Sequence, residues 1–337
     1  MTHVLAVRLD NDGDVLLAGP AIRALAAGAD RVTLLCGPRG RQAAELVPGV
    51  DEVIEWRAPW IDPEPHPVDP ADIGCMVRRI AALDAGRAIV FGSFHQSPLP
   101  TALMLRLAGV PWIGATSVDY PGALLDLRHR IDDDVHEVER SLDLVRHAGF
   151  DLPRGDDGRL AIRRRGAHAI GGQYVVVHPG ASVPARAWAP DRFAALVDTL
   201  VAERHRVVVT GGAAERELTA LVSGRRRREV LDLGGATDLA ALADLIAGAT
   251  SIVVGNTGPA HVAAAVGTPV VSLFAPTVPP GRWRPWMVPC ELLYAAVPCA
   301  GCRARICPVE GHPCLGGVTV ADAAAAVERL SSLRMAA

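Results

Sequence analysis

The sequence predicts an α/β protein built as two Rossmann-like halves, each a parallel sheet covered by helices. Three observations carry this. Short apolar runs alternate with patterns of helical period along most of the chain, the mark of successive β-α-β units. With 337 residues, half of them apolar, the chain can bury two domain cores. A stretch mixing Pro, Gly, Asp and Arg without periodicity, residues 151–172, interrupts the alternation and reads as a linker.

In the first half, residues 1–155, apolar runs predict strands at 4–9, 32–36, 52–55 and 88–91. Residues 15–25 carry apolar side chains at helical spacing, with Pro20 as an interruption. Further helical patterns cover 75–84, 98–108 and 137–149. In the second half, residues 170–316, strands are predicted at 174–178, 206–210, 230–232, 251–254 and 269–273. Helices are predicted between them at 191–203, 214–223, 238–248 and 259–266. The tail, 317–337, contains an Ala-rich helix at 318–332 with Asp322 in its first turns. It is expected to pack back on the first domain.

Composition narrows the function. No apolar stretch approaches the roughly 18 residues needed to span a bilayer. The start of the chain lacks the basic-then-apolar pattern of a signal peptide. A soluble, cytoplasmic protein with no integral membrane segment and no nucleic-acid partner is therefore expected. All 34 basic residues are Arg, which excludes a Walker loop because that motif needs Lys. Charge divides unevenly. Residues 1–150 hold 14 Arg against 21 Asp and Glu, a net of −7; residues 151–337 hold 20 Arg against 16 acids, a net of +4. A basic second half suits a nucleotide diphosphate, and an acidic first half suits a neutral or cationic acceptor.

Two segments carry chemistry. Ser251-Ile252-Val253-Val254 reads as a buried parallel strand, followed by Gly255-Asn256-Thr257-Gly258-Pro259-Ala260-His261 and an Ala-rich helix. A strand, a tight Gly turn and a helix opening near Pro259 leave backbone N–H groups unpaired. Such a helix start suits a phosphate or diphosphate. His261 lies in the first turn, close enough to donate to the same anion. The other segment follows the first strand: Asp10-Asn11-Asp12-Gly13-Asp14. Carboxylates at the C-terminal edge of a first parallel strand face the ligand crevice of α/β proteins. Asp14 is the candidate general base, with Asp10, Asp12 and Gly13 on the acceptor side. The same acids also suit a helix cap.

Together these segments resemble glycosyltransferase family 9, the heptosyltransferase family. The resemblance includes Arg8 through Pro20, Val177-His178-Pro179-Gly180-Ala181 and Ala187-Trp188-Ala189-Pro190. It continues through Thr210-Gly211-Gly212-Ala213-Ala214-Glu215, Leu233 to Leu239, the Gly258-Pro259-x-His261 turn and Leu273-Phe274-Ala275-Pro276-Thr277. It implies a GT-B fold, two Rossmann-like domains facing across a cleft. It also implies inverting transfer without a catalytic metal or other cofactor, with ADP-heptose as donor. Asp14 would take the proton of the attacking hydroxyl. Thr257, Gly258 and His261, with Arg186, would stabilise the leaving diphosphate. Arg186 stands where heptosyltransferases usually carry Lys. Glu215 would lie near the donor ribose and Asn256 near the transferred sugar, with Pro259 and Thr277 completing the donor side. Asn256 replaces an Asp common in relatives, and Asp10 and Asp12 depart from the small polar residues usual beside the Gly-Asp pair.

The expected acceptor is a small polar, amine-bearing natural product. A lipopolysaccharide-core heptosyltransferase is the alternative, and a non-catalytic nucleotide-sugar binding protein the alternative of another class. The missing Gly-x-Gly-x-x-Gly argues against a nicotinamide oxidoreductase. Finally, Cys299, Cys302, Cys307 and Cys314 crowd a Gly/Pro-rich loop with His312, preceded by Cys290. Such a cluster suits zinc or another structural metal, disulfides or free thiols.

Overall fold

The computed structural model describes residues 2–93, 95–132, 134–166, 170–224 and 229–336. It divides into two compact units, Met1–Ala161 and Ile162–Ala337.

The first unit holds β1 (His3–Arg8), α1 (Asp12–Gly28), β2 (Arg31–Cys36), α2 (Arg41–Leu46), β3 (Glu52–Glu55) and α3 (Pro70–Ala81). It continues with β4 (Arg87–Val90), α4 (Leu99–Leu107), β5 (Trp112–Thr116), β6 (Leu127–His129) and α5 (Glu137–His147). The strands are parallel in the order β3-β2-β1-β4-β5-β6. Val4 is matched to Val32 on one side and Arg87 on the other. The order steps outward from β1 and then returns to its other side. Beyond the carboxyl ends of β1 and β4, connections diverge to opposite faces and leave a crevice for ligand.

Every residue of β1 is buried, as expected of a central strand covered on both faces. Helix α1 starts at Asp12, earlier than periodicity predicts, behind an Asn11 N-cap. Pro20 lies inside it and supplies no N–H to the helical ladder. The helix continues through it because residues on most of its surface, from Val15 to Leu25, are buried against β1, α2 and α5. Packing outweighs one missing bond. Strands β5 and β6 and helix α2 have no counterpart in the sequence reading; β6 is three residues long, too short to show a period.

The second unit repeats the plan. It holds β7 (Val175–His178), α6 (Pro190–Ala202), β8 (Val207–Gly211), α7 (Arg216–Ser223), β9 (Val230–Gly234), α8 (Leu239–Gly248), β10 (Ser251–Gly255) and α9 (Gly258–Val266). Then follow β11 (Val270–Leu273), α10 (Pro280–Trp283), β12 (Cys290–Leu293), α11 (Pro313–Gly316) and α12 (Val320–Ala336). Its parallel order, β12-β11-β10-β7-β8-β9, puts the switch point between β7 and β10. Strand β12 is a further element that the sequence reading left out.

The tail belongs to the second unit. Helix α12 packs on α6, β10 and β11 of the second unit, where Ala323, Ala326, Val327 and Leu330 enter the core. Arg334 anchors it by donating to the carbonyls of Ala247 (2.6 Å) and Gly267 (2.9 Å), at the C-terminal ends of α8 and α9. The expected linker is also partly built into the first unit. Arg23 of α1 grips Asp156 through two bonds of 2.6 and 2.8 Å. Residues 167–169 of that linker lie outside the described residues. Among the described residues, no helix is long and apolar enough to cross a membrane.

Candidate active site

At the end of β1, Arg8 is the hub of a buried charge cluster. Its side chain is 2% exposed and lies 3.0 Å from both Asp10 Oδ2 and Asp14 Oδ1. It also donates to Ser93 Oγ at 3.0 Å, from the loop after β4. Gln96 of the same loop donates to Asp10 Oδ1 at 2.6 Å. The group therefore straddles the β1/β4 switch point. Burial pushes the Asp10 carboxyl up, against the opposing pull of Arg8. Asp14 remains partly open, at 19% exposure. One of its oxygens is fixed by Arg8, while the other has only long contacts of 3.4 and 3.5 Å to Asn11. That leaves a positioned carboxylate with an available lone pair. The capping role the sequence allowed for these acids is also present: Asp14 and Asn11 form a capping box on α1, in which Gly13 is a buried helical residue.

Asp12 has a different neighbourhood. Its Oδ1 accepts from Ala43 N at 2.9 Å, in the first turn of α2. It thus ties α2 to α1, and burial pushes its carboxyl up to about 6. A folded value above the usual one means that the native state holds the proton longer than the unfolded chain. Stability should accordingly fall as pH rises from about 4 to about 6, on the order of 1 kcal/mol for this partly exposed group. Asp12→Asn keeps the accepting oxygen and should flatten that slope. Urea unfolding of both proteins across this range tests it, and parallel curves would refute it.

The second unit gathers the donor-side candidates at the β7/β10 switch point. Thr257 is the N-cap of α9 and makes no side-chain cap; Gly258 and Pro259 open the helix. Asn256, 8% exposed, donates through Nδ2 to the Ala275 carbonyl at 3.3 Å. Its Oδ1 and the Thr257 hydroxyl are buried without protein partners. Such orphaned polar atoms beside an open helix start are suited to a ligand that completes their bonding. His261 is buried in the first turn of α9. Arg186 Nε lies 3.4 Å from Thr277 Oγ1, which joins the loop after β7 to the loop after β11. The Arg186 backbone also crosses close to Gly255, where a Cβ would lie 3.1 Å from its carbonyl oxygen.

Glu215 comes up against Gly180, and its Oε2 accepts from Gly212 N at 2.7 Å. A Cβ at Gly180 would fall 2.0 Å from Glu215 Oε1, so only glycine admits this approach. His178, at the end of β7, bonds Thr210 Oγ1 at 3.0 Å. Burial pushes its pKa down, with Glu215 acting the other way. Sequence reasoning assigned no role to Arg8, Ser93, Gln96 or His178. Arg8 left a signal as a charge at the end of a buried apolar run, and His178 as a member of a family-like segment.

The cysteine loop braces this site through its backbone. Gly301 N donates to Pro276 O (2.7 Å) and Arg303 N to Thr277 O (2.9 Å). Ala185 N donates to Arg305 O at 3.0 Å, and the His312 ring bonds Ala185 O at 3.0 Å. Cys299, Cys302, Cys307, Cys314 and His312 line a cavity of about 30 Å³. No disulfide joins any of the cysteines, Cys290 included. Among the described residues, this loop does not bring three metal-ligating atoms within 4.8 Å of one another.

With this geometry in hand, the sequence profile of Glycosyltransferase family 9 (heptosyltransferase) is found to match residues 95–312. The chain belongs to this family. Lipopolysaccharide heptosyltransferase 3 of Escherichia coli is 34% identical over 147 residues, 42% of this chain and 42% of that protein. The match thus spans less than half of that relative's length. Among solved structures, a family 9 glycosyl transferase from Veillonella parvula superposes with a TM-score of 0.82, at 18% identity and 98% coverage of both chains. E. coli ADP-heptose lps heptosyltransferase II does so with a TM-score of 0.75, at 20% identity over the full length of both. At these identities the likeness establishes the fold, two parallel α/β sheets of GT-B type.

Proposed function

We propose that this family 9 protein is an inverting glycosyltransferase that moves heptose from ADP-heptose to a hydroxyl of an anionic saccharide acceptor, the class that includes lipopolysaccharide core. The observation that carries the reading is the open start of α9, with Asn256 Oδ1 and Thr257 Oγ1 unpartnered beside it. A diphosphate leaving an anomeric carbon gains negative charge as the bond breaks. Oriented N–H groups and a cation stabilise that charge more in the transition state than in the ground state. The α9 start, His261 and Arg186 supply such groups, so the reaction needs no catalytic metal. Glu215 suits ribose hydroxyls, and Asn256 a hydroxyl of the sugar. Asp14 accepts the proton of the attacking acceptor hydroxyl. Its fixed yet accessible carboxylate favours catalysis over mere nucleotide-sugar binding.

The acceptor assignment departs from the one drawn from net charge. A cavity of about 310 Å³ at the carboxyl edge of the first sheet is lined by Asp10, Asn11, Arg39, Arg57 and Asp62. Both arginines face a single carboxylate: Arg57 pairs with Asp62, and Arg39 lies 3.7 Å from it. Asp10 is taken up by Arg8, so two guanidiniums share the one remaining carboxylate and leave donors for a phosphate or carboxylate of the acceptor. Local charge at the pocket matters more than the sum over the half, because surface charges beyond a Debye length are screened.

Competition decides it. With ADP-heptose as donor, ADP release should rise with a phosphorylated core oligosaccharide and stay near the hydrolysis background with aminocyclitols. Preference for the amine-bearing acceptor would overturn the acceptor assignment, and no turnover of ADP-heptose with either would overturn the donor.

A further inference from the structure

The first unit contains a cluster that the proposed reaction does not use. His129 ends the edge strand β6, while Asp143 and His147 lie one helical turn apart on α5. Each offers a ligand atom, and the three atoms lie within 4.8 Å of one another. His129 Nε2 is 2.8 Å from Asp143 Oδ2, and His147 Nδ1 is 3.7 Å from the same oxygen. The His129 ring is buried at 1% exposure, and its Nδ1 is held by Thr116 Oγ1 at 2.8 Å. This fixes the ring with Nε2 aimed at the cluster, since a hydrogen bond to the far nitrogen is what orients a metal-bound imidazole.

We infer that His129, Asp143 and His147 form a binding site for one divalent transition-metal ion of zinc type, which staples the edge strand β6 to α5. Ligands about 2.0–2.2 Å from a tetrahedral zinc stand roughly 3.3–3.5 Å from one another. The two separations from Asp143 Oδ2 lie on either side of that value and all three atoms lie within 4.8 Å of one another, so modest side-chain rotation completes the set. His147 Nδ1 also bonds the Asp143 carbonyl at 2.9 Å. Releasing that bond costs little, since the His147 backbone N–H serves the same carbonyl within the helix. Two imidazoles and one carboxylate select zinc, cobalt or nickel over magnesium or calcium, which require more oxygen ligands. Asp143 and His147 are 34% and 58% exposed, so an ion can enter and keep water in its remaining position.

Cobalt(II) distinguishes this site from the cysteine loop, because thiolate ligands add an intense near-ultraviolet charge-transfer band. Titrating the full-length protein with cobalt should give visible d–d absorption at one equivalent without that band. His147→Ala and Asp143→Asn should each weaken binding at least tenfold, while Cys302→Ser leaves it unchanged. Zinc should raise the melting temperature of the parent protein by several degrees and that of His147→Ala by much less. Because His147 is exposed, its replacement should leave the metal-free fold intact, which circular dichroism checks. Absence of cobalt uptake, undiminished uptake in His147→Ala, or a thiolate band lost in Cys302→Ser would each overturn the inference.

Discussion

Asp14→Ala should lower the rate of transfer by about 10² to 10⁴, the usual cost of removing a general base. Binding of ADP should stay within about threefold of the parent, because Asp14 belongs to the β1 end of the first sheet and the groups proposed for the diphosphate to the second. The substitution also strips one carboxylate from a guanidinium only 2% exposed. Asp10 and Ser93 continue to hold Arg8, so the fold should persist with a moderate loss of stability. Asp14→Asn separates the two effects. It retains an oxygen for Arg8 but cannot take a proton, and it should be as inactive as the alanine variant while unfolding near the parent's urea midpoint. Single-turnover assays with calorimetric ADP titration give both readouts. Turnover within a few-fold of the parent in either variant would remove Asp14 from the mechanism.

Arg186→Ala should weaken ADP binding by roughly 10- to 100-fold, the range for losing charge-assisted bonds worth about 1.5–3 kcal/mol. The effect on transfer should be larger than on binding, since charge on the leaving diphosphate grows toward the transition state. Arg186→Lys preserves the charge without the planar fork and should recover part of the loss. His261→Ala should reduce affinity in the same direction by a smaller factor, because the α9 backbone remains to hold the anion. Calorimetry on all three variants tests the arrangement. Parent-like ADP affinity in both alanine variants would move the diphosphate away from the α9 start.

Much of this was written in local sequence. Buried parallel strands such as Val4–Val7 and Ile252–Val254 are continuous apolar runs because both faces of the sheet are covered. The turn from β10 into α9 announced itself because Gly and Pro act on the backbone where they stand. Those signals are short-range, and they were sufficient for the α/β class, the repeated plan and the candidate donor turn.

Tertiary structure decided what depends on distant partners. No spacing rule connects Arg8 to Ser93 or Asp10 to Gln96, which meet only because β4 returns beside β1. Asp12 was grouped with Asp10 and Asp14 by adjacency, yet along a helix start neighbouring residues point in different directions, and Asp12 turns to α2. Net charge over residues 1–150 suggested an amine, whereas the pocket brought Arg39 and Arg57 onto Asp62. Crowded cysteines left metal, disulfides or free thiols open, and the spacing of the chain gave no sign of the three donors that converge at His129, Asp143 and His147, drawn from β6 and α5. Hydrophobic period and backbone preference are properties of a few consecutive residues and survive in one dimension. A site is a set of side chains converging in space, and only the packed chain brings them together.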